Sequence, residues 1–356
     1  MKILIVGLGY AGHRYLQSFE YLAKEIKLKL ALAYVGRHKK SDKLEFFSDI
    51  TAALAIFKPD IVVISTNDAS HASILEKLRE YRGFVICEKP LAIQDQNWRK
   101  IQNEMKNIRG FALDLVERYS EATQHLKQVI AMNGWSLARA HFYWGKDRLN
   151  DYRPTCGVTS EVVHALDLVS WICSSSEPVM IENALGVRSD FSISGEDVLD
   201  SVLLTGRLGN IPFTGYSSFV NIQRQRNVDF SFINNDGDII HSRITYDTPE
   251  WDHDHLRIWT RDPTGAESVI TDRVYNKSQQ GLETIYKLSN FCMEVIQFVA
   301  SNIPPAQPFA GLDTACGLQE LLDNIEHQVV TTLRAKYIRA GERKLLSRKA
   351  DLESLG

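Results

Sequence analysis

One segment of the chain carries three ionisable side chains at helical spacing. Glu161, His164 and Asp167 follow one another at intervals of three residues, so a helix places them along one stripe of its surface. Apolar residues at positions 162, 163, 166, 169 and 172 predict that this helix also has a buried face. His164 can act as a general base, because an unperturbed histidine has a pKa of about 6.5. A salt-bridged, solvated helix face is the alternative explanation.

Lys89 is a second candidate for chemistry. It lies in the tripeptide Glu88-Lys89-Pro90, directly after the apolar run at residues 84–87 that predicts a strand. A lysine at such a strand end can donate to a substrate hydroxyl and stabilise the charge that develops on its oxygen during hydride transfer. An ordinary surface lysine is the alternative.

The first twelve residues predict the element that would hold a cofactor. The apolar run at residues 3–6 is typical of a strand buried on both faces of a parallel sheet. Gly7, Gly9 and Gly12 then follow with the spacing G-x-G-x-x-G. The helix that begins near Tyr10 and Ala11 would direct its free N–H groups at phosphates. Three glycines after an apolar run also occur by chance, so this motif needs support from the rest of the chain.

The end of the second predicted strand, residues 29–35, indicates which dinucleotide is bound. Gly36 and Arg37 follow it, where a dinucleotide fold for NAD normally has an acidic residue. An arginine there can pair with a 2′-phosphate. The sequence therefore favours NADP, with NAD still possible, and a solvated basic turn is the alternative, mainly for Lys39 and Lys40.

Further cofactor contacts are predicted after the strand at residues 61–64. Thr66 and Asn67 follow this strand, and His71 lies in the helix after them. Loops at the carboxyl ends of parallel strands line the ligand crevice of an open sheet. His71 can equally be a helix residue that faces water.

The order of these motifs resembles the Gfo/Idh/MocA family, named for glucose-fructose oxidoreductase, inositol dehydrogenase and a rhizopine-catabolism protein. The glycine motif, the strand that ends in Thr66 before a helix with His71, and Glu88-Lys89-Pro90 carry the resemblance. The family usually has Thr-Pro where this chain has Thr66-Asn67. The resemblance implies an α/β protein, with a Rossmann doubly wound parallel sheet in residues 1–118. Residues 119–356 would form an α+β domain for substrate binding and oligomerisation, with a large, mainly antiparallel open sheet.

The resemblance also implies roles for the candidate residues. Lys89 would lie at the active site and, with Glu88, contact the cofactor. His164 would be the general base, and Asp167 would orient its ring or bind substrate. Many family members place an acid four residues before the histidine, at the position of Ser160, whereas this chain has Glu161, a candidate for substrate binding.

The remaining substrate candidates are Arg118, Tyr119 and Arg153. The family often has an arginine followed by an aromatic residue at the entry to its second domain, where Arg118 and Tyr119 lie. Interdomain packing is the alternative role for these two residues.

The predicted function is NAD(P)-dependent hydride transfer to or from a carbon of a sugar, cyclitol or nucleotide-linked sugar. The substrate would bind in a cleft between the two domains. A dinucleotide-dependent glycosidase that oxidises its substrate only transiently is one alternative. A sensor or scaffold that binds NADP without catalysis is the other.

Composition limits the partners. A chain of 356 residues with 44% hydrophobic and 24% charged residues predicts a globular protein of two domains. The formal net charge of −3 indicates neither nucleic acid nor an anionic membrane as a partner. No apolar run is long enough to span a bilayer, and the chain opens with a strand rather than a signal peptide, so a cytoplasmic location is expected. Five scattered cysteines predict no disulfide framework.

The second half predicts more strands than helices. Alternating segments at residues 201–208, 211–220, 227–233 and 239–244, with a turn at 234–237, predict a large antiparallel sheet. By the resemblance its open face makes a homodimer or homotetramer. His253 and His255 alternate on one predicted strand without a third ligand, so no metal site is predicted. Helices are predicted at residues 284–301 and 312–334, followed by a basic helical tail.

Overall fold

The structure is a computed structural model that describes residues 1–149, 153–276 and 281–338. The described residues form two compact units. The first contains residues 1–116 and 281–320, and the second contains residues 117–149, 153–276 and 321–338. The chain therefore returns to the first unit after the large sheet of the second unit. The domain division after residue 118 remains a sequence-based proposal.

The first unit is built on a six-stranded parallel sheet with the strand order β3-β2-β1-β4-β5-β6. The strands are β1 Lys2–Val6, β2 Ala31–Val35, β3 Glu45–Phe47, β4 Ile61–Ile64, β5 Phe84–Cys87 and β6 Gly110–Leu113. Every residue of β4 and β5 is buried, as their unbroken apolar runs require of central parallel strands. The predicted Rossmann sheet is confirmed, and β3 is a short edge strand that was not predicted.

Among the described residues, five α-helices belong wholly to the first unit, and a sixth begins there. They are α1 Tyr10–Glu25, α2 Ile50–Phe57, α3 His71–Lys77, α4 Trp98–Glu104, α7 Tyr286–Ser301 and the start of α8 Leu312–Gln328. Asp49 caps α2 by accepting a hydrogen bond from the Ala52 amide at 2.9 Å. Helix α7 packs against α1, which explains why residues far apart in the sequence share one unit.

The second unit contains a nine-stranded sheet with the order β14-β13-β12-β11-β7-β10-β9-β8-β15. Its strands are β7 Ser136–Asp147, β8 Val179–Ser189, β9 Val198–Leu208, β10 Ile211–Ser218, β11 Val220–Ile233, β12 Ile239–Thr245, β13 His253–Arg261, β14 Glu267–Asn276 and β15 Val330–Ala335. Two neighbouring pairs are parallel, β10 with β7 and β15 with β8. The remaining pairs are antiparallel, which confirms the predicted large, mainly antiparallel sheet.

Two helices cover one face of this sheet. Helix α5 (Glu121–Asn133) contacts β13 and β14, and α6 (Thr159–Ile172) contacts β7, β9, β10 and β11. Apolar side chains are exposed elsewhere on the sheet, including the cross-strand pair Leu185 and Leu203, which are about half exposed. Assembly of copies through the open face remains a prediction.

The predicted helix at residues 312–334 is wrong at its end. Helix α8 ends at Gln328, and residues 330–335 form β15 beside β8. The β-branched run Val330-Thr331-Thr332 favours a strand over a helix. The basic tail after residue 338 lies outside the described residues. Among the helices that are described, none has the length and apolar character needed to cross a membrane.

Candidate active site

The three glycines at the start of the first unit have three different surroundings. Gly7 has a φ of +95°, which a residue with a side chain rarely adopts, and its N–H donates to the Val35 carbonyl at 2.9 Å. A Cβ at Gly12 would lie 2.1 Å from the Gly7 carbonyl oxygen, so α1 packs directly on the turn. A Cβ at Gly9 would meet no atom within 4 Å. The turn is therefore closed on the protein side and open at Gly9.

This open side fits a dinucleotide phosphate. Helix α1 begins at Tyr10, with Gly9 as a cap that lacks a side chain, and its first turn has no acidic residue. Its first N–H groups are thus available to an anion. The Ser65 hydroxyl donates to the Gly7 carbonyl at 2.8 Å, and the buried Thr66 hydroxyl beside this turn has no hydrogen-bond partner among the described residues. A bound group can satisfy that hydroxyl.

The loop after β2 carries basic side chains and is fixed by hydrogen bonds to Tyr34. The buried Tyr34 hydroxyl accepts hydrogen bonds from the amides of Lys40 and Ser41, at 2.6 and 3.0 Å. Arg37 is exposed on this loop. Burial and then the nearby charge of Lys40 lower the pKa of His13, so the His13 ring is neutral at pH 7. The loop presents positive charge where an adenosine ribose binds in this type of fold.

His71 connects two strand-end loops. Its ring is fully buried, with Nδ1 2.7 Å from the Pro90 carbonyl oxygen and Nε2 3.3 Å from that of Thr66. The alternative that His71 faces water is therefore wrong. Asn67 is exposed, and its side-chain oxygen accepts a hydrogen bond from Ser70 at 2.8 Å. His71 thus positions the loops of Thr66 and Lys89, and its direct contact with a cofactor stays a prediction.

Glu88 belongs to a pair of carboxyl groups beside Lys89. Asp114 follows β6 and accepts a hydrogen bond from the Tyr15 hydroxyl at 2.6 Å. Burial, and next the neighbouring Asp114 carboxylate, raise the pKa of Glu88 well above its usual range, while the charges of Lys89 and Arg14 act in the opposite direction. Two interacting carboxyl groups titrate as a pair, and one of them keeps its proton to a higher pH than an isolated carboxyl group.

This pair predicts a pH-dependent effect of Glu88→Gln on stability. A carboxyl group whose pKa is raised by folding stabilises the protein when protonated, and this contribution is lost as pH rises from about 4.5 through the raised pKa. The loss is about 1.4 kcal/mol for each unit of the shift. We expect Glu88→Gln to raise Tm relative to the native chain at pH 8 and to change it little at pH 4, in thermal unfolding followed by circular dichroism. An equal change at both pH values would contradict the raised pKa of Glu88.

His164 in the second unit lies against a carboxylate and an indole. Its Nδ1 is 2.7 Å from Oε2 of Glu117, and both side chains are buried. Glu117 lies on a short 3-10 turn, residues 116–119. The Trp144 ring stacks on the imidazole with a centroid distance of 5.9 Å. The contact with Glu117 is therefore electrostatic, since Nδ1 makes no hydrogen bond among the described residues, and a carboxylate at this distance favours a proton on Nδ1.

A buried arginine joins the acids of this site. Arg226 lies 2.7 Å from Asp247 and 3.6 Å from both Glu117 and Glu161. Burial, opposed by the charges of these three acids, is the largest influence on Arg226, and the net result is a raised pKa. Lys146 makes a further ion pair with Glu161 at 2.7 Å. The stripe on α6 is therefore salt-bridged but buried, and the alternative explanation of a solvated face is wrong.

The carboxylate beside the imidazole is Glu117, and the expectation that Asp167 orients the ring is wrong. Asp167 instead accepts a hydrogen bond from Nε of Arg118 at 2.7 Å, and the Arg118 guanidinium lies 5.3 Å from the centre of the Trp171 ring. Three residues advance a helix by about 4.5 Å along its axis, so His164 and Asp167 lie on one stripe but reach different partners. A substrate role for Asp167 or Arg118 stays a prediction.

The structure gives the positions of the other predicted site residues, and their roles stay predictions. Tyr119 is buried on the turn that carries Glu117, and Arg153 is partly exposed in the connection between β7 and α6. Tyr10 is half exposed at the start of α1, beside Ala11. His255 contacts Asp272 at 2.6 Å. In the described part of the chain no group of three histidine, cysteine, aspartate or glutamate side chains is arranged to hold a metal ion.

Sequence reasoning missed Glu117, Arg226, Lys146, Asp247 and Trp144. One of them had a usable signal. Val228 and Phe230 alternate with polar residues along β11, and this period-two pattern places Arg226 on the same buried face. A buried arginine requires acidic partners. The identity of those partners depends on strand pairing, which the pattern does not give.

Comparison with known proteins identifies the first part of the chain. Residues 1–109 match a family model described as the Gfo/Idh/MocA oxidoreductase family with an NAD-binding Rossmann fold. Inositol 2-dehydrogenase of Salmonella typhimurium is 21% identical over 182 residues, which cover 48% of this chain and 54% of that enzyme. The match thus spans about half the length of this curated relative.

Solved structures extend the likeness in fold to both units. An oxidoreductase domain protein from Kribbella flavida has a TM-score of 0.73 and 15% identity, over 92% of this chain and 96% of that one. The transcriptional regulator Gal80p from Kluyveromyces lactis has a TM-score of 0.69 and 13% identity, over 92% of this chain and 89% of that one. At these identities the likeness shows the fold alone.

Proposed function

We propose that the chain is a member of the Gfo/Idh/MocA oxidoreductase family, whose model matches residues 1–109, and that it transfers hydride between NADP and a carbon of a sugar, cyclitol or nucleotide-linked sugar. The observation that carries this proposal is the buried contact between His164 and Glu117, at 2.7 Å. A buried base held by a carboxylate is suited to taking a proton from a hydroxyl.

His164 moves the substrate proton in this proposal. The Glu117 carboxylate, 2.7 Å from Nδ1, favours the tautomer with its proton on Nδ1, which leaves Nε2 with the lone pair that takes the hydroxyl proton. The Glu117 carboxylate also stabilises the imidazolium that this transfer forms. Arg226, 3.6 Å from Glu117, keeps the acid ionised, because an adjacent positive charge favours the carboxylate.

The first unit binds the cofactor in this proposal. When bound, the nicotinamide supplies the hydride acceptor or donor. The amides at the start of α1 and the open space at Gly9 receive the diphosphate, and the Thr66 hydroxyl makes a further contact. We propose that Lys89 donates to the reacting oxygen and so serves the same reaction as His164.

Arg37 is expected to decide the preference for NADP. Arg37→Gln removes the only charge of that side chain and keeps its approximate length, so it should weaken NADP binding by about 10-fold or more and leave NAD binding unchanged. Fluorescence titration with both dinucleotides measures the ratio. Lys39→Gln is a matched control, because Lys39 is already paired with Asp42 at 2.7 Å. Equal weakening of both cofactors by Arg37→Gln would contradict this assignment.

The test of the proposed function is reduction of NADP by a panel of polyols, aldoses and nucleotide sugars, followed by absorbance. Turnover that produces free NADPH supports the dehydrogenase. Cleavage of a glycoside without accumulation of NADPH supports the transient-oxidation alternative. Tight NADP binding without turnover on any member would contradict an enzyme and favour a sensor.

A further inference from the structure

The charged groups around His164 differ in exposure according to their sign. The acidic side chains are buried, with 3% of Glu117, 1% of Glu161 and none of Asp247 exposed. Of their cationic partners, Lys146 is 17% exposed and Arg224 is 26% exposed. A ligand that approaches this part of the second unit therefore meets positive charge, while the compensating negative charge lies behind it.

Several hydrogen-bond donors around His164 have no acceptor among the described residues. Arg224 and Arg226 share one Asp247 oxygen, Oδ2, at 3.2 and 2.7 Å, although each guanidinium has five N–H groups. The Nε atoms of both arginines and Nε1 of Trp144 are buried and have no hydrogen-bond partner within the described ranges. Unsatisfied buried donors of this kind are rare and call for an acceptor.

Strand pairing brings these donors together. Trp144 on β7 is paired with Arg226 on β11, and Gly145 is paired with Gln225. Lys146 and Arg224 follow these pairs along their strands, where the pairing of β7 with β11 becomes irregular. Cζ of Arg224 lies 3.8 Å from the ring centre of Trp251, in the loop after β12, and this contact restricts the motion of the guanidinium. Two neighbouring cations of limited freedom are suited to a planar or tetrahedral oxyanion.

We propose that the substrate carries a carboxylate or phosphate group that Arg224 and Lys146 bind next to His164. This inference rests on the proposed function for the reaction at the substrate hydroxyl, whereas binding of the anionic group does not depend on that function. The substrate class is then a sugar acid or a phosphorylated sugar, rather than a neutral polyol. Its oxyanion accepts charge-assisted hydrogen bonds from these two partly exposed cations, and it supplies the acceptor that Nε of Arg224 lacks among the described residues.

The experiment is isothermal titration of the full chain with D-glucose, D-glucuronate and D-glucose 6-phosphate at low salt. Both anionic probes, or the one whose chemistry fits, should bind at least about 10-fold more tightly than glucose, and added NaCl should weaken only their binding. The anionic probe that binds more tightly shows whether the site prefers a carboxylate or a phosphate group. Arg224→Gln should weaken that probe about 10-fold or more, whereas Arg243→Gln should not. Arg243 is the matched control, since it pairs with Asp229 at 2.6 Å and is half exposed.

Lys146→Gln gives a second variant if Arg224→Gln does not fold, and it should reduce the same affinity. The inference is wrong if glucose binds as tightly as both anionic probes, if no anionic probe binds, or if the variants weaken glucose and the anions equally. Anion binding that depends on Arg224, without NADP-dependent turnover on any substrate, would contradict the proposed function and leave this inference standing. NADP-dependent turnover of neutral polyols alone would support the proposed function and contradict this inference.

Discussion

Replacing His164 with alanine is expected to lower kcat by about 10²- to 10⁴-fold, the range that a positioned general base contributes. NADP affinity should not change, because the dinucleotide elements belong to the first unit, whereas His164 lies on α6 of the second. The measurement is steady-state turnover together with fluorescence titration of NADP. Equal loss of turnover and cofactor binding would indicate that His164 supports the fold instead of the reaction.

Glu117 and Asp167 provide the control for this role. Glu117→Gln can offer its amide N–H to Nδ1 of His164 and so favours the wrong tautomer, and kcat should fall by about 10²-fold or more. Glu117→Asp keeps the charge and should recover part of the loss. Asp167→Asn weakens the buried pair with Arg118, which is 2.7 Å away, and should lower Tm more than it lowers kcat. If Asp167→Asn instead has the larger effect on kcat, Asp167 is the catalytic carboxylate and Glu117 is not.

The fold followed from the sequence wherever a segment had one strong pattern. The apolar runs of β1, β4 and β5 could only be strands buried on both faces, and the glycine motif placed α1 directly after β1. The sequence failed where a pattern was weak or ended ambiguously. Residues 330–335 continue the polar and apolar spacing of α8, and they form a strand because β8 offers an unpaired edge beside them.

The candidate site was predictable residue by residue but not as a set of pairs. The stripe on α6 predicted that Glu161, His164 and Asp167 lie along one helix, and all three are buried there. Their partners are a matter of tertiary packing. Glu117 lies on a turn before α5, and Arg226, on β11, contacts Glu117. Because neither residue belongs to α6, the spacing within that helix reveals neither contact. Helical periodicity fixes faces, whereas partners depend on which strands are adjacent.

The loop at Gly9 offers the second large expected effect, because substitution there separates binding from folding. Gly9 has a φ of −98°, which any residue adopts, and a side chain would point into space free of protein atoms. Gly9→Val should therefore cost no more than about 1 kcal/mol, through its poorer helix cap. It should nevertheless weaken NADP binding about 100-fold or more, equivalent to about 2.8 kcal/mol, since the valine occupies the place of the diphosphate.

Gly12→Ala is the matched comparison, and it should lower the stability of the fold more than Gly9→Val does. Its Cβ would lie 2.1 Å from the Gly7 carbonyl oxygen, and relieving such a clash shifts α1 at a cost of about 1–3 kcal/mol. Thermal unfolding of both variants without ligand, followed by NADP titration, separates the two outcomes. If Gly9→Val binds NADP as tightly as the native chain, the diphosphate lies elsewhere, and the glycine turn serves only to pack α1 on the sheet.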